Sequence, residues 1–218
     1  MIEVFGFPRS GTNWVANSIW KAFYPERDLT GGLVLATTGH WSQRQKVSAS
    51  PARVLFRDVH RKWRRGTETS LSIYVVRDGR SVAASHYRTC IFRHIDDKDI
   101  SFNEFLRKPL DWNVSPKNRA LRTSPGSIVQ HWYDNTRGWR DRAGVHYVHY
   151  EEMLSNPSRE IQRLGEFLQM KPASLEPYSA PSGPDARVEY SLLWPALFSK
   201  DDLRYFFSIV PADYWALA

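Results

Sequence analysis

Two glycines and one arginine near the start of the chain have the types and spacing of an anion-binding loop. Gly6 and Gly11 are separated by four residues, and Arg9 lies between them. An apolar run over 2–7 leads into the turn, and apolar residues recur at helical spacing from Trp14 onward. In such a strand, turn and helix, backbone N–H groups converge on one point that the helix dipole makes positive. We therefore predict that this loop binds an anion.

The loop departs from the Walker A loop that binds nucleoside triphosphates. The glycine spacing agrees, but Thr12 stands where the Walker lysine would be, and Asn13 replaces the magnesium-binding Ser or Thr. The basic residue is Arg9, inside the loop. The sequence therefore favours an anion held by a cation and backbone groups, and it predicts no metal. A nucleotide kinase or related phosphotransferase is the alternative enzyme class, and an ordinary strand–turn–helix is the alternative without a ligand.

The clearest predicted strand also ends at a basic residue. Residues 71–76 are rich in β-branched and aromatic side chains, and Arg77 follows them directly. Ser81 and Ser85 stand one helical turn apart in the next segment, so they share a face of the predicted helix. Because ligands of parallel α/β sheets bind at the carboxyl ends of strands, Arg77 and Ser85 are candidates to hold one phosphate between them. An ion pair of Arg77 with Asp78 or another carboxylate is the alternative.

Histidines offer the remaining chemistry. His60 follows a predicted strand over 53–57, and neutral histidine suits proton abstraction near pH 7. His40 lies in a predicted loop and is the alternative base. His146 and His149 are three residues apart on a predicted strand, so their rings face opposite sides of a sheet. We therefore predict no metal site at that pair.

The composition describes one basic globular domain. The 218 residues, 42% hydrophobic and 24% charged, can bury one sizeable core, and we predict a single domain over 1–218. The net charge of +7 favours an anionic ligand. A nucleic-acid-binding protein is the alternative without catalysis, but the basic residues cluster only at 61–65, so we expect no nucleic-acid partner.

The single cysteine and the absence of long apolar runs bear on the compartment. Cys90 is the only cysteine, which excludes an intrachain disulfide and a multi-cysteine zinc site. No apolar run approaches the length of a membrane span, and the residues before the first predicted strand do not resemble a signal peptide. We expect a cytoplasmic protein with no membrane partner.

The rest of the chain alternates strands, helices and irregular segments. A strand is predicted over 145–150, and helices are predicted over 126–142, 158–170 and 203–209. Weak periodicity and several prolines mark 89–125, where we predict only a short helix around 102–106. We interpret 89–125 as a lid or acceptor-binding segment, and a flexible surface excursion is the alternative.

Three separated segments together resemble the sulfotransferases that use 3′-phosphoadenosine 5′-phosphosulfate (PAPS). Residues 8–14 resemble the P-K-S-G-T-T-W loop of that family. Residues 74–87 are similar to its second signature, in which an Arg and a Ser eight positions later bind the 3′-phosphate. Residues 148–153, followed by a helix over 157–168, are similar to its F-Y-E-D-M segment. The resemblance implies a P-loop-like three-layer α/β fold, with a central parallel β-sheet flanked by helices.

The resemblance also implies a role for each candidate residue. Trp14 would lie against the adenine, and Tyr150 would help to place it. Arg77 and Ser85 would bind the 3′-phosphate, and His60 would be the catalytic base. The 5′-phosphosulfate would be held by the loop residues, which are Arg9, Ser10, Gly11, Thr12 and Asn13.

The last signature of the family, R-K-G-x-x-G-x-W, is altered in this chain. Arg187 stands seven residues before Trp194, as the signature requires, but Glu189 and Leu192 replace its two glycines. Arg187 is the candidate for a further contact to the 3′-phosphate. Glycine normally permits the close backbone approach to such a group, so a nucleotide-binding relative without catalysis is a further alternative.

The chemistry of sulfuryl transfer agrees with this set of residues. A base must take the acceptor proton, and a cation with backbone N–H groups must meet the charge on the transferring group. His60 and Arg9 are the candidates for these two tasks. The expected product is 3′,5′-adenosine diphosphate (PAP), and the expected acceptor is a small molecule or carbohydrate that offers a hydroxyl or an amine.

Overall fold

The computed structural model of the protein describes residues 2–25, 58–59, 71–93, 100–109, 126–178 and 194–214. The strands are β1 (Ile2–Gly6), β2 (Asp58–Val59), β3 (Leu71–Val76) and β4 (Val145–His149). The helices are α1 (Thr12–Phe23), α2 (Gly79–Arg93), α3 (Phe102–Arg107), α4 (Ile128–Trp139), α5 (Tyr150–Ser155), α6 (Pro157–Leu168), α7 (Trp194–Leu197) and α8 (Lys200–Ile209). A short 3₁₀ helix, Ala212–Tyr214, follows α8.

The four strands form one parallel sheet in the order β2-β1-β3-β4. Val4 pairs with Asp58 on one side of β1 and with Ile73 on the other. Every residue of β1 is buried, which is expected of a central strand in a sheet covered on both faces. Because all the strands are parallel, Gly6, Val76 and His149 end at one edge of the sheet. The predicted α/β fold with a parallel sheet is confirmed.

Alternate residues of β1 enter cores on opposite faces of the sheet. Val4 belongs to a cluster with Val15 of α1 and Leu164 of α6. Phe5 packs instead on Trp139 of α4, with ring centroids 4.5 Å apart. Since successive side chains of a strand point to opposite faces, α1 and α6 cover one face and α4 covers the other. The predicted three layers follow from this alternation.

A second aromatic core attaches the C-terminal elements to α2, α3 and α4. Phe105 of α3, Trp132 of α4 and Phe206 of α8 are buried together with Val82 of α2. The side chain of Ser199 caps α8 by accepting the backbone N–H of Asp202 at 3.1 Å. The described residues 194–214 thus pack against α2, α3 and α4.

Two predicted boundaries were wrong. Tyr150 does not continue β4 but begins α5, a helix that the sequence analysis did not predict. The following Glu151 and Glu152 occupy its first turn, where a helix dipole favours negative charge. Residues 89–93 belong to α2 rather than to a loop, because no glycine or proline interrupts the chain there.

The other predicted elements appear with shifted ends. The helices predicted over 126–142, 158–170 and 203–209 correspond to α4, α6 and α8, and the short helix around 102–106 corresponds to α3. The strand predicted over 53–57 lies outside the described residues, and β2 begins directly after it. Most of the predicted lid or acceptor-binding segment, 94–99 and 110–125, also lies outside them.

Candidate active site

The loop between β1 and α1 has the backbone of an anion site. The N–H of Ser10 donates to the carbonyl of Phe7 at 3.0 Å, which closes the turn. Gly11 follows as the N-cap of α1, with a left-handed φ of 86°. The first backbone N–H groups of a helix have no partner within the helix, and the first turn of α1 carries no acidic residue. This end of α1 therefore presents positive potential and N–H donors.

Arg9 connects the loop to the tip of β3 and to α2. Its carbonyl accepts a hydrogen bond from Nη1 of Arg77 at 2.8 Å, and its own Nε donates to Oγ of Ser85 at 3.1 Å. Arg77 and Ser85 are both buried. The structure therefore joins three residues that the sequence suggested separately, and it places two guanidinium groups around one loop.

Arg77 is a buried cation with an aromatic neighbour. Its guanidinium carbon lies 4.3 Å from the centre of the Tyr150 ring, within cation–π range. Burial lowers the pKa of Arg77 from its ordinary value, and the nearby Tyr150 and Glu151 counteract this effect. Arginine stays protonated near neutral pH, so the charge persists at the site. The partner of Asp78 is Arg80, whose Nη2 lies 2.8 Å from its carboxylate.

Tyr150 and Trp14 pack beneath the loop. A Cβ atom added at Gly11 would lie 2.4 Å from two carbons of the Tyr150 ring. The rings of Tyr150 and Trp14 meet edge to face with centroids 5.4 Å apart, and only 2% and 8% of these residues are exposed. Nε1 of Trp14 donates to the carbonyl of Tyr178 at 2.8 Å. The ring of Tyr150 thus packs against Gly11 of the loop, and the ring of Trp14 packs against Tyr150. Contact of either ring with an adenine stays a prediction.

The remaining predicted site residues divide into two groups. Ser10 is buried in the loop, and Thr12 and Asn13, the first two residues of α1, are buried and partly buried; their contact with the 5′-phosphosulfate stays a prediction. His60 and Arg187 lie outside the described residues, and their roles stay predictions. His60 follows Val59, the last residue of β2, directly in the sequence.

His86 also contacts the loop, although it is not among the site residues predicted from the sequence. Its Nε2 lies 3.2 Å from the carbonyl oxygen of Pro8 in the loop, and its ring meets the ring of Phe7 edge to face. The signal was available, because His86 directly follows Ser85 in the second signature. A histidine in a helix that packs against an anion-binding loop is a candidate for contact with that loop.

Two cavities lie toward the β4 side of the sheet. One, of about 210 Å³, is lined at the strand ends by residues that include Arg77, Asp78 and Glu151. The other, of about 470 Å³, lies along β4 and is lined by residues that include His146 and His149. Burial, together with the charge of Arg163, lowers the pKa of His146 to about 4, so this ring is neutral at pH 7.

The described ranges contain neither a metal centre nor a membrane-spanning helix. No group of three or more His, Cys, Asp or Glu side chains in those ranges could hold a metal ion. None of the helices described is long and apolar enough to cross a membrane.

A parallel sheet whose strand β1 leads through a tight turn into the N-terminus of α1, with a buried cation at the tip of β3, defines a P-loop-like α/β protein. The sequence matches the family model described as "Sulfotransferase domain" over residues 2–180. Because this match covers most of the chain, the protein belongs to the sulfotransferase family.

Individual relatives are similar over part of their length. Mouse sulfotransferase 1B1 is 31% identical over 99 residues, which are 44% of this chain and 29% of that protein. Sulfotransferase 1 family member D1 of Rattus norvegicus is 30% identical over 100 residues, which are 44% of this chain and 30% of that protein. The matched region thus spans less than a third of either relative.

Solved structures agree with the fold. The mouse sulfotransferase SULT7A1 complexed with PAP gives a TM-score of 0.55 at 15% identity, covering 95% of this chain and 81% of that one. A retinol dehydratase complexed with retinol and PAP gives a TM-score of 0.57 at 15% identity, covering 96% and 79%. At this identity the likeness establishes the sulfotransferase fold.

Proposed function

We propose that the protein transfers the sulfuryl group of PAPS to a hydroxyl or amine acceptor and releases PAP. The observation that carries the proposal is the hydrogen-bonded group of Arg9, Arg77 and Ser85 at the loop. PAPS is anionic at both ends, and this group offers one cation at the loop and a second at the adjoining strand tip. The PAP complexes of the two structural neighbours support the same ligand.

Each end of PAPS has suitable partners in this chain. The N-terminus of α1 and Arg9 would hold the 5′-phosphosulfate, because guanidinium and backbone N–H groups bind such anions well. Arg77 and Ser85 would hold the 3′-phosphate. A nucleotide kinase is disfavoured because Thr12 and Asn13 occupy the positions of the Walker lysine and the magnesium ligand.

The transfer needs a base and a cation from this chain. We propose His60 as the base that takes the acceptor proton while the acceptor oxygen or nitrogen forms its bond to sulfur and the bridging S–O bond breaks. Arg9 would stabilise the negative charge on the transferring group and on the departing phosphate oxygen. The acceptor is proposed to be a small molecule or a carbohydrate. The reaction requires no metal ion for these two tasks.

Calorimetry with PAP, and separately with ATP and magnesium, tests the ligand. The wild-type protein should prefer PAP, and Arg77→Ala should weaken PAP binding about 10–100-fold, because the hydrogen bonds of one charged group to phosphate are lost. Arg137→Ala, an exposed site on α4, removes the same charge away from the loop and should leave the affinity unchanged. Tight binding of ATP with magnesium and no binding of PAP would overturn the proposal.

Replacement of His60 tests the base. His60→Ala should keep the PAP affinity of the wild type and lose on the order of 10² in sulfuryl transfer, the usual contribution of a general base at its lower end. Transfer of ³⁵S from labelled PAPS to a panel of phenols, alcohols and amines provides the measurement. Full turnover by His60→Ala would exclude His60 and direct attention to His40. A wild-type protein that binds PAP but transfers nothing would favour the inactive alternative.

A further inference from the structure

His86, in α2, contacts the backbone of the loop. Only 7% of His86 is exposed, its Nε2 lies 3.2 Å from the carbonyl oxygen of Pro8, and its ring edge meets Phe7 at a centroid distance of 5.9 Å. A carbonyl oxygen can only accept a hydrogen bond, so this contact requires a proton on Nε2. His86 is therefore a donor to the loop in the arrangement that the structure describes.

Two consecutive carbonyls of the loop accept hydrogen bonds from basic side chains of the unit formed by β3 and α2. His86 donates to the carbonyl of Pro8, and Arg77 donates to the carbonyl of Arg9 at 2.8 Å. The C=O and N–H of a trans peptide point in opposite directions. Holding the Pro8 carbonyl toward α2 therefore directs the N–H of Arg9 away from α2.

The backbone at Arg9 needs such support. Its φ of 71° lies in the left-handed region, which a residue with a Cβ atom adopts at an energetic cost. A conformation of this kind persists when the surrounding contacts over-determine it. The bond from His86 fixes the peptide before Arg9, and the bond from Arg77 fixes the peptide after it.

We propose that His86 is a positioning residue for the 5′-phosphosulfate end of the donor. It acts by orienting the Pro8–Arg9 peptide, and through that peptide the cation at position 9. This inference rests on the proposed function. Under that function, the side chains of Arg77 and Ser85 hold the 3′-phosphate and the Pro8–Arg9 peptide belongs to the 5′ site, so loss of the His86 bond should weaken binding of the 5′ end more than that of the 3′ end.

Binding of three nucleotides to two variants tests this role. His86→Phe keeps a ring against Phe7 but cannot donate, and His86→Gln can place an amide N–H near the position of Nε2. The affinities would be measured by calorimetry with PAP, adenosine 5′-monophosphate and adenosine 3′-monophosphate. PAP and adenosine 5′-monophosphate, which carry a 5′-phosphate, should bind His86→Phe about 5–10-fold more weakly than the wild type, as expected for one lost hydrogen bond. The affinity for adenosine 3′-monophosphate should change less than about twofold, because it has no 5′-phosphate to respond to the lost hydrogen bond. His86→Gln should recover most of the lost affinity for the other two nucleotides.

Controls separate positioning from packing. His146→Phe makes the same replacement on β4, where the ring stacks on Phe167, and it should alter none of the three affinities. If His86→Phe does not fold, His86→Asn serves instead, because its shorter amide cannot reach the Pro8 carbonyl as glutamine can. Equal weakening of all three nucleotides, or no weakening of any, would overturn the positioning role. A wild-type protein that binds none of them would overturn the proposed function itself.

Discussion

Arg9→Ala should lower the rate of sulfuryl transfer by about 10²–10³-fold, the usual effect of removing one donor from a site of developing charge. The guanidinium is held at the loop by its bond to Ser85, and the backbone of Arg9 is held by Arg77. Alanine at this position removes the charge and leaves the two supporting residues in place. The loss should therefore appear mainly in kcat.

The Arg9 experiment combines turnover with ligand affinity. Initial rates of ³⁵S transfer from PAPS would be measured for the wild type, Arg9→Ala and Arg9→Lys, together with PAP affinity by calorimetry. Arg9→Lys keeps the charge without the forked hydrogen bond, so it should retain more activity than alanine. Arg137→Ala, exposed on α4, is the matched removal of an arginine and should turn over like the wild type.

Two results would contradict this role for Arg9. An alanine variant with unchanged kcat would show that the positive charge comes from elsewhere, with the N-terminus of α1 as the remaining donor. An equal loss in kcat/KM and PAP affinity with kcat preserved would show that Arg9 binds the donor in the ground state without acting on the transfer.

The separate candidates could be predicted from sequence, but their connection could not. Glycine spacing and the apolar run identified the loop, and the interval of eight between Arg77 and Ser85 placed one at a strand end and the other in the next helix. The link between them is Arg9, and it depends on a left-handed φ of 71°. Sequence patterns do not indicate that conformation at an arginine, since it is stabilised by tertiary contacts.

The end of β4 could not be predicted from the sequence either. The alternation of β-branched and aromatic residues over 145–150 favours a strand through Tyr150, and local propensity alone does not mark a boundary there. In the structure, Tyr150 instead starts α5, and its ring fills the space under Gly11. The position of Tyr150 is set by packing, because its ring lies directly against Gly11. These two residues are 139 positions apart in the sequence, so no local pattern connects them.

The same packing makes Gly11 sensitive to substitution. Gly11→Ala would place a Cβ atom 2.4 Å from two carbons of the Tyr150 ring and would force a residue with a side chain to a φ of 86°. Positive φ costs about 1–3 kcal/mol and overpacking a buried site costs about 1–3 kcal/mol. We expect the loop to rearrange and PAP affinity to fall by roughly 10³-fold, the middle of the range that these energies imply.

Gly144 provides the matched control, because it separates backbone strain from the steric clash. Its φ is 76°, and a Cβ atom added there would meet nothing within 4 Å. Gly144→Ala should therefore lose about 1 kcal/mol of unfolding free energy in urea from backbone strain alone, and it should keep PAP affinity because Gly144 lies outside the loop. The double variant Gly11→Ala with Tyr150→Val should recover part of the affinity if the ring causes the clash. Equal affinities for Gly11→Ala and the wild type would mean that the ring moves aside without disturbing the loop, and the close approach of Gly11 and Tyr150 would then not be required for binding.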